Sequence, residues 1–170
     1  DNSYNGTWDV FVFKLNPAGT ALVYSTYIGG SYADYGDNLF VTAAGEALVT
    51  GMTESSNFPT INAYDNTLDR WEDIFVCKLN ASGSSLVFST FIGGNHRDRG
   101  SDITLDANQN IYVVGSTSST NFPTSAGSFA NTLKAGSTIW SSDLVVFKLN
   151  PAGNILLYST YVGSSGSEYG

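Results

Sequence analysis

The sequence predicts an all-β protein built of repeated four-stranded antiparallel units. Three observations carry that prediction. A linked pair of motifs occurs three times within 170 residues, the segments between turn residues are short and rich in β-branched and aromatic side chains, and one segment of every copy is apolar at consecutive positions. Internal copies are sought first because they decide architecture. Val10-Phe-Val-Phe-Lys-Leu-Asn-Pro-Ala-Gly19 returns as Ile74-Phe-Val-Cys-Lys-Leu-Asn-Ala-Ser-Gly83 and as Leu144-Val-Val-Phe-Lys-Leu-Asn-Pro-Ala-Gly153. Each is followed by a second motif, Leu22-Val-Tyr-Ser-Thr-Tyr-Ile-Gly29, Leu86-Val-Phe-Ser-Thr-Phe-Ile-Gly93 or Leu156-Leu-Tyr-Ser-Thr-Tyr-Val-Gly163. Lys14 and Lys78 stand 64 residues apart, and Lys78 and Lys148 stand 70 apart. The stretch between also repeats: Leu48-Val-Thr-Gly51 matches Tyr112-Val-Val-Gly115, and Ser56-Asn-Phe-Pro-Thr60 matches Thr120-Asn-Phe-Pro-Thr124.

Within one period the first strand is Leu39 to Thr42 or Ile103 to Leu105, and the second is Ala47 to Met52 or Ile111 to Ser116. The third strand is the segment ending in Lys-Leu, and the fourth is the Tyr-Ser-Thr or Phe-Ser-Thr segment. Short β-branched and aromatic runs bounded by Gly, Asn or Pro are strand signals. The first two strands join through Ala43-Ala-Gly-Glu46 or Asp106-Ala-Asn-Gln-Asn110. The last two join through Pro17-Ala-Gly19, Ala81-Ser-Gly83 or Pro151-Ala-Gly153. In such tight hairpin turns glycine supplies positive φ and proline presets the bend.

The third strand is the most informative. A half-solvated strand alternates apolar and polar residues, whereas Val10-Phe-Val-Phe13 does not, so both of its faces must be covered. A four-stranded antiparallel unit repeated every 64 to 70 residues and covered on both faces describes a β-propeller blade. A β-solenoid needs a much shorter repeat, and a sandwich would not repeat its sequence. The linked blocks Phe-Lys-Leu-Asn-Pro-Ala-Gly, Tyr-Ser-Thr-Tyr-Ile-Gly-Gly, Val-Thr-Gly and Asn-Phe-Pro-Thr resemble the bacterial β-propeller repeat abbreviated SBBP, after seven-bladed β-propeller, over essentially the whole chain. The resemblance implies a propeller fold within large secreted or surface proteins of bacteria. It implies no catalytic residue.

Composition narrows the function. With 7 Lys plus Arg against 15 Asp plus Glu the net charge is -8, and such a surface repels nucleic acid. The 42% hydrophobic and 14% aromatic content excludes disorder. No apolar run approaches the roughly 18 to 20 residues of a membrane span. Only 13% of residues are charged, so the surface is largely uncharged and polar, which points to a secreted, extracellular or cell-surface location. An opening Asp1 with no leader pattern suggests a processed or excised product.

The copies divide as residues 1–36, a half blade of third and fourth strands, then full blades at 37–100 and 101–170. Closed propellers need about four to eight blades, so two and a half leave open faces. Four strands at about 4.8 Å spacing and about 20 Å length present roughly 400 Å², worth on the order of 10 kcal/mol as an upper figure. The expected partners are therefore copies of this chain, or the remainder of a longer chain completing the ring.

Candidate chemistry is sparse. Cys77 is the only cysteine and stands where Phe13 and Phe147 stand, which reads as core. No nucleophile elbow, zinc-protease helix or phosphate loop occurs, so no enzyme is expected. Asp34, Asp98 and Glu168 recur two residues before Gly36, Gly100 and Gly170. They read either as a calcium position or as a turn in which the carboxylate accepts a backbone N–H and glycine takes positive φ, and the turn is favoured. Asp106-Ala-Asn-Gln-Asn110 resembles a calcium loop but lacks its glycine and distal glutamate. Lys14, Lys78 and Lys148 read as snorkelling or paired side chains rather than a basic stripe. The long connections 53–72 and 117–142 emerge on one face, with Phe58, Tyr64, Trp71, Phe129, Trp140, His96, Arg97 and Arg99. Exposed aromatics beside arginine suit glycan or protein contact, while Phe58-Pro59 and Phe122-Pro123 read as plugs between blades. The leading expectation is a non-enzymatic scaffold or self-assembling surface or filament component. The alternative is a glycan- or protein-binding propeller using the long-loop face.

Overall fold

The computed structural model describes residues 3–136 and 141–168, which fold into ten β-strands. β1 (Val10–Leu15) and β2 (Leu22–Ile28) form a two-stranded sheet. β3 (Asp34–Val41), β4 (Ala47–Thr53), β5 (Asp73–Leu79) and β6 (Leu86–Ile92) form a four-stranded sheet in chain order, as do β7 (Asp98–Leu105), β8 (Ile111–Thr117), β9 (Asp143–Leu149) and β10 (Leu156–Val162). All pairings between these strands are antiparallel, and the described residues form an all-β fold of propeller blades. No described helix is long and apolar enough to cross a membrane.

The turns follow the sequence. Gly19, Gly83 and Gly153 have φ of 68°, 68° and 72°. In each turn the asparagine of Lys-Leu-Asn holds the bend: its Oδ1 accepts the N–H of Thr20, Ser84 or Asn154 at 2.8, 2.9 or 3.0 Å. That is a side chain mimicking a backbone turn. Gln109, at φ 65°, occupies the place of Gly45, at φ 80°. There Asp106 Oδ1 accepts the N–H groups of Asn108 and Asn110, both at 2.9 Å, so the calcium-like stretch is an Asx turn.

The first strand of each blade starts earlier than expected, at Asp34 and Asp98 rather than Leu39 and Ile103. Polar Asp-x-Gly looks like a turn, yet it is already paired with β4 or β8, and a bulge follows at Gly36 or Gly100. Neither glycine has a positive φ, which corrects the turn reading. Each is small because the preceding blade presses on it: a Cβ on Gly36 would lie 2.9 Å from Val10 Cγ1, and one on Gly100 would lie 3.0 Å from Ile74 Cγ2.

The sheets stack as a fan. β7 packs on β3, β4 and β5, and β1 packs on β3, so first strands converge. One apolar core lies between β1–β2 and the middle sheet, with Val10, Val12, Phe58, Phe75 and Phe91, and a second lies between the middle and last sheets, with Ile74, Val76, Ile103, Phe122 and Phe147. Phe58 tilts against Phe75 at 4.8 Å and Phe122 meets Phe147 at 6.2 Å, so both plug the gaps between blades. The long connections then run back along the outer strands. Ile61 exchanges backbone bonds with Ser89 of β6, and Ser125 N–H donates to Ser159 of β10. This covers sheet edges that would otherwise be open to association.

Candidate functional site

Polar groups concentrate where one blade meets the next. Asp98, at the start of β7, is fully buried. Thr117 Oγ1 donates to its Oδ1, while Ser119 Oγ and Gly94 N–H donate to its Oδ2 at 2.8 and 2.7 Å. Asp34 repeats the set with Thr53, with Ser55 at 2.9 Å and with Gly30 at 2.7 Å. A second carboxylate approaches each from the strand-three side: Asp73 raises the pKa of Asp98, and Asp9 raises that of Asp34. The paired glycines make room for this arrangement. A Cβ on Gly29 would lie 2.5 Å from Asp9 Oδ1 and 2.9 Å from Asp34 Oδ2, and one on Gly94 would lie 2.5 Å from Asn121 Oδ1.

The electrostatics follow from burial. Desolvation pushes the Asp98 carboxyl well above its ordinary range, against the pull of its hydroxyl and amide donors. Asp34 is raised for the same reason. Asp73 is pushed up to about 7, chiefly by burial. Its Oδ2 accepts the Asp69 N–H at 3.2 Å, while its buried Oδ1 has no hydrogen-bond partner. The third copy differs: Asp143 accepts the N–H groups of Lys134 and Ala135 at 2.6 and 2.7 Å, and Glu168 is a partly exposed residue bonded to Ser164. This donor set does not fit calcium. Asp34 and Asp98 are ringed by hydrogen-bond donors, and among the described residues no group of three or more His, Cys, Asp or Glu side chains could hold a metal ion.

Residues 87–123, running from β6 through β7 and β8 to Pro123, match the family model of the SBBP beta-propeller repeat. No curated protein sequence matches the chain. The matched SBBP segment spans a junction rather than a blade. It holds Asp98 together with Gly94, Thr117 and Ser119, so the repeat encodes the complete hydrogen-bond set of one buried carboxylate.

The surface residues singled out from the sequence fall into two groups. Tyr64 sits on the segment that follows the β6 edge, where residues 60–66 line a cavity of about 310 Å³. Trp71, half exposed, precedes Glu72, which bridges to Arg97 just before β7. Arg99 is held by Asp37 of the preceding blade, with Nε 2.9 Å from Oδ2 and Nη2 on Oδ1. The His96 backbone N–H donates to Ser119 Oγ at 2.8 Å. Trp140 and Gly170 lie outside the described residues. Cys77 is buried in the core, and burial pushes its thiol up to about 12.

Sequence reasoning missed Asp9, Asp73 and Asp143, although each stands at the start of a third strand, and it missed the Thr-x-Ser pairs Thr53/Ser55 and Thr117/Ser119, although they repeat 64 residues apart. It also passed over Trp8, which is exposed and tilts against Tyr35 at 6.4 Å. A cavity of about 580 Å³ opens between β2 and the β5–β6 turn, lined by Thr26, Tyr27, Asn57, Ser84 and Ser85.

Proposed function

We propose that this protein is a non-enzymatic structural propeller module, secreted or held at the cell surface, whose open blade faces join copies of itself or further blades of a longer chain. One observation carries the reading. Phe11 and Phe13 of β1 are each 53% exposed, whereas Phe75 and Cys77 of β5 and Val145 and Phe147 of β9 are 0% exposed. Leu15, Leu22 and Val23 are also exposed, so the first sheet presents an apolar face of the kind that soluble monomers rarely leave open. A heterologous contact through such a face builds rings or filaments. Light scattering is expected to give a mass above one chain, with rings, sheets or fibres in electron micrographs. A monodisperse single-chain mass with cooperative unfolding would refute the role.

A second reading is favoured by the neutral polar cavity beside β2. Its hydroxyl and amide lining, with Tyr27, suits a glycan better than a charged ligand. On a glycan array, binding that disappears in Tyr27→Ala is the required outcome, and an array without signal removes this reading.

A further inference from the structure

We propose that the outer rim of the two four-stranded blades is a repeated contact site for a neutral polysaccharide, taking one sugar unit per blade at Tyr64 and at Phe129. The site lies apart from the cavity beside β2 and goes beyond the scaffold role. Three observations carry it.

The first is an arch that occurs twice. Ile61 N–H donates to the Ser89 carbonyl at 3.1 Å, and Phe91 N–H donates to the Asp65 carbonyl at 3.0 Å. Between these clamps residues 62–64 run beside Thr90 alone, so the excess chain bows away from β6. Asn62 turns the arch at φ 51°, a left-handed conformation, and its Nδ2 donates to the Val87 carbonyl at 3.0 Å. On the next blade Ser125 N–H donates to the Ser159 carbonyl and Tyr161 N–H to the Ala130 carbonyl, both at 3.1 Å, and Gly127 turns that arch at φ 75°. Asp65 and Ala130 also match in donating N–H to Thr90 and Thr160 Oγ1, each at 2.9 Å. Held at both ends, an arch is shaped before a ligand arrives, which spares the cost of ordering it on binding.

The second observation is that each arch ends on an exposed ring. Tyr64 immediately precedes Asp65 and is 40% exposed, and Phe129 immediately precedes Ala130 and is 86% exposed. Neither belongs to an apolar core. Rings that stand at one position in two blades without packing inside either present flat apolar faces, which stack on the C–H face of a sugar.

The third is the chemistry around the ring. Thr60, Asn62, Asp65 and Asn66 join Tyr64 in lining the cavity of about 310 Å³, a size at the small end of ligand pockets. Thr67 N–H and Oγ1 donate to Asp65 Oδ1 at 2.9 and 2.7 Å, so Oδ2 is the oxygen left to accept a sugar hydroxyl. Residues 60–66 and 125–130 include no lysine or arginine, so a phosphorylated or uronic ligand would meet Asp65 without a countercharge. A neutral, hydroxyl-rich ligand with one apolar face satisfies the whole set. The second arch has Ala130 in place of the acid and offers its ring alone, so a single sugar binds weakly there and a polymer that reaches both arches gains by linkage.

The test is affinity electrophoresis of the whole chain in native gels carrying laminarin, mannan, xylan or dextran, four neutral polysaccharides. At least one is expected to retard the protein, with apparent affinity falling about tenfold in Tyr64→Ala or Phe129→Ala and vanishing in the double variant. Tyr64→Phe keeps the ring and should stay within about threefold of the parent. Phe129 lies outside the core, so Phe129→Ala should keep the parent's urea midpoint and separate lost binding from lost folding. Hydrogen exchange should slow at residues 60–66 when the retarding polysaccharide is present. Protection confined to Thr26 and Tyr27 would overturn this site and support the cavity beside β2 instead. Free migration in all four gels, retardation unchanged in the double variant, or equal retardation by the anionic polygalacturonate would each overturn the inference as well.

Discussion

Gly115→Ala is expected to lower stability by about 3 kcal/mol or more, read as a fall in the urea midpoint with little change in slope. The new methyl would overlap the Arg99 carbonyl oxygen and sit 3.2 Å from both Arg99 C and Gly100 Cα. All three are backbone atoms of β7 at the bulge between Gly100 and Asp102, so no flexible side chain can yield. Gly51 faces Tyr35 in the same way and its alanine variant should behave alike. Gly136→Ala is the control, since among the described residues its Cβ would meet only Ser141 Oγ at 3.6 Å, and its effect should stay within about 0.5 kcal/mol. A Gly115→Ala protein as stable as the parent would mean that the bulge does not hold β7 against β8 in this way.

Stability is expected to fall as pH rises from about 4 to about 7, because the buried Asp73 carboxyl titrates near 7 when folded and near 3.9 when unfolded. Between those values the unfolded chain gives up the proton while the folded chain keeps it. The contribution is therefore complete below about 4, drains away through about 7 and is flat above. Three units correspond to about 4 kcal/mol. The raised Asp34 and Asp98 act in the same direction. Asp106, held below the ordinary carboxylate range mainly by Asn110, acts oppositely but only at lower pH, outside this window. Urea unfolding at pH 5 and pH 8 should show the acidic sample more stable and the difference reduced in Asp73→Asn. A midpoint that rises with pH across this range would contradict the buried pair as described.

Much of the fold was legible because its signals are local and repeated. Lys-Leu-Asn followed by a small residue and glycine forms the same Asn-capped turn three times, and the glycines there have the expected φ. The opening residues of β3 and β7 were not legible, since Asp-x-Gly is a turn signal and its role as a strand start depends on hydroxyls 19 and 21 residues downstream. The recurring acid could be seen, but its meaning could not. Calcium, a turn and a buried hydrogen-bonded carboxylate share one residue pattern, and only the positions of Thr117, Ser119 and Gly94 separate them. The Arg99–Asp37 pair spans 62 residues and has no second copy, so no sequence signal announces it.

Strands β5 and β9, Asp-Ile-Phe-Val-Cys-Lys-Leu and Asp-Leu-Val-Val-Phe-Lys-Leu, show where that boundary falls. By itself the sequence determined that each is a strand with two apolar faces, because consecutive apolar residues point alternately to opposite sides of a sheet. Only the tertiary structure decided which faces are covered. β5 is buried almost throughout between two neighbours, while β9 alternates between buried and half-buried positions because a single neighbour packs on it. The physical reason is that burial belongs to a pair of surfaces. A strand's residues state that a partner is required, and the stacking of the sheets determines which partner is present.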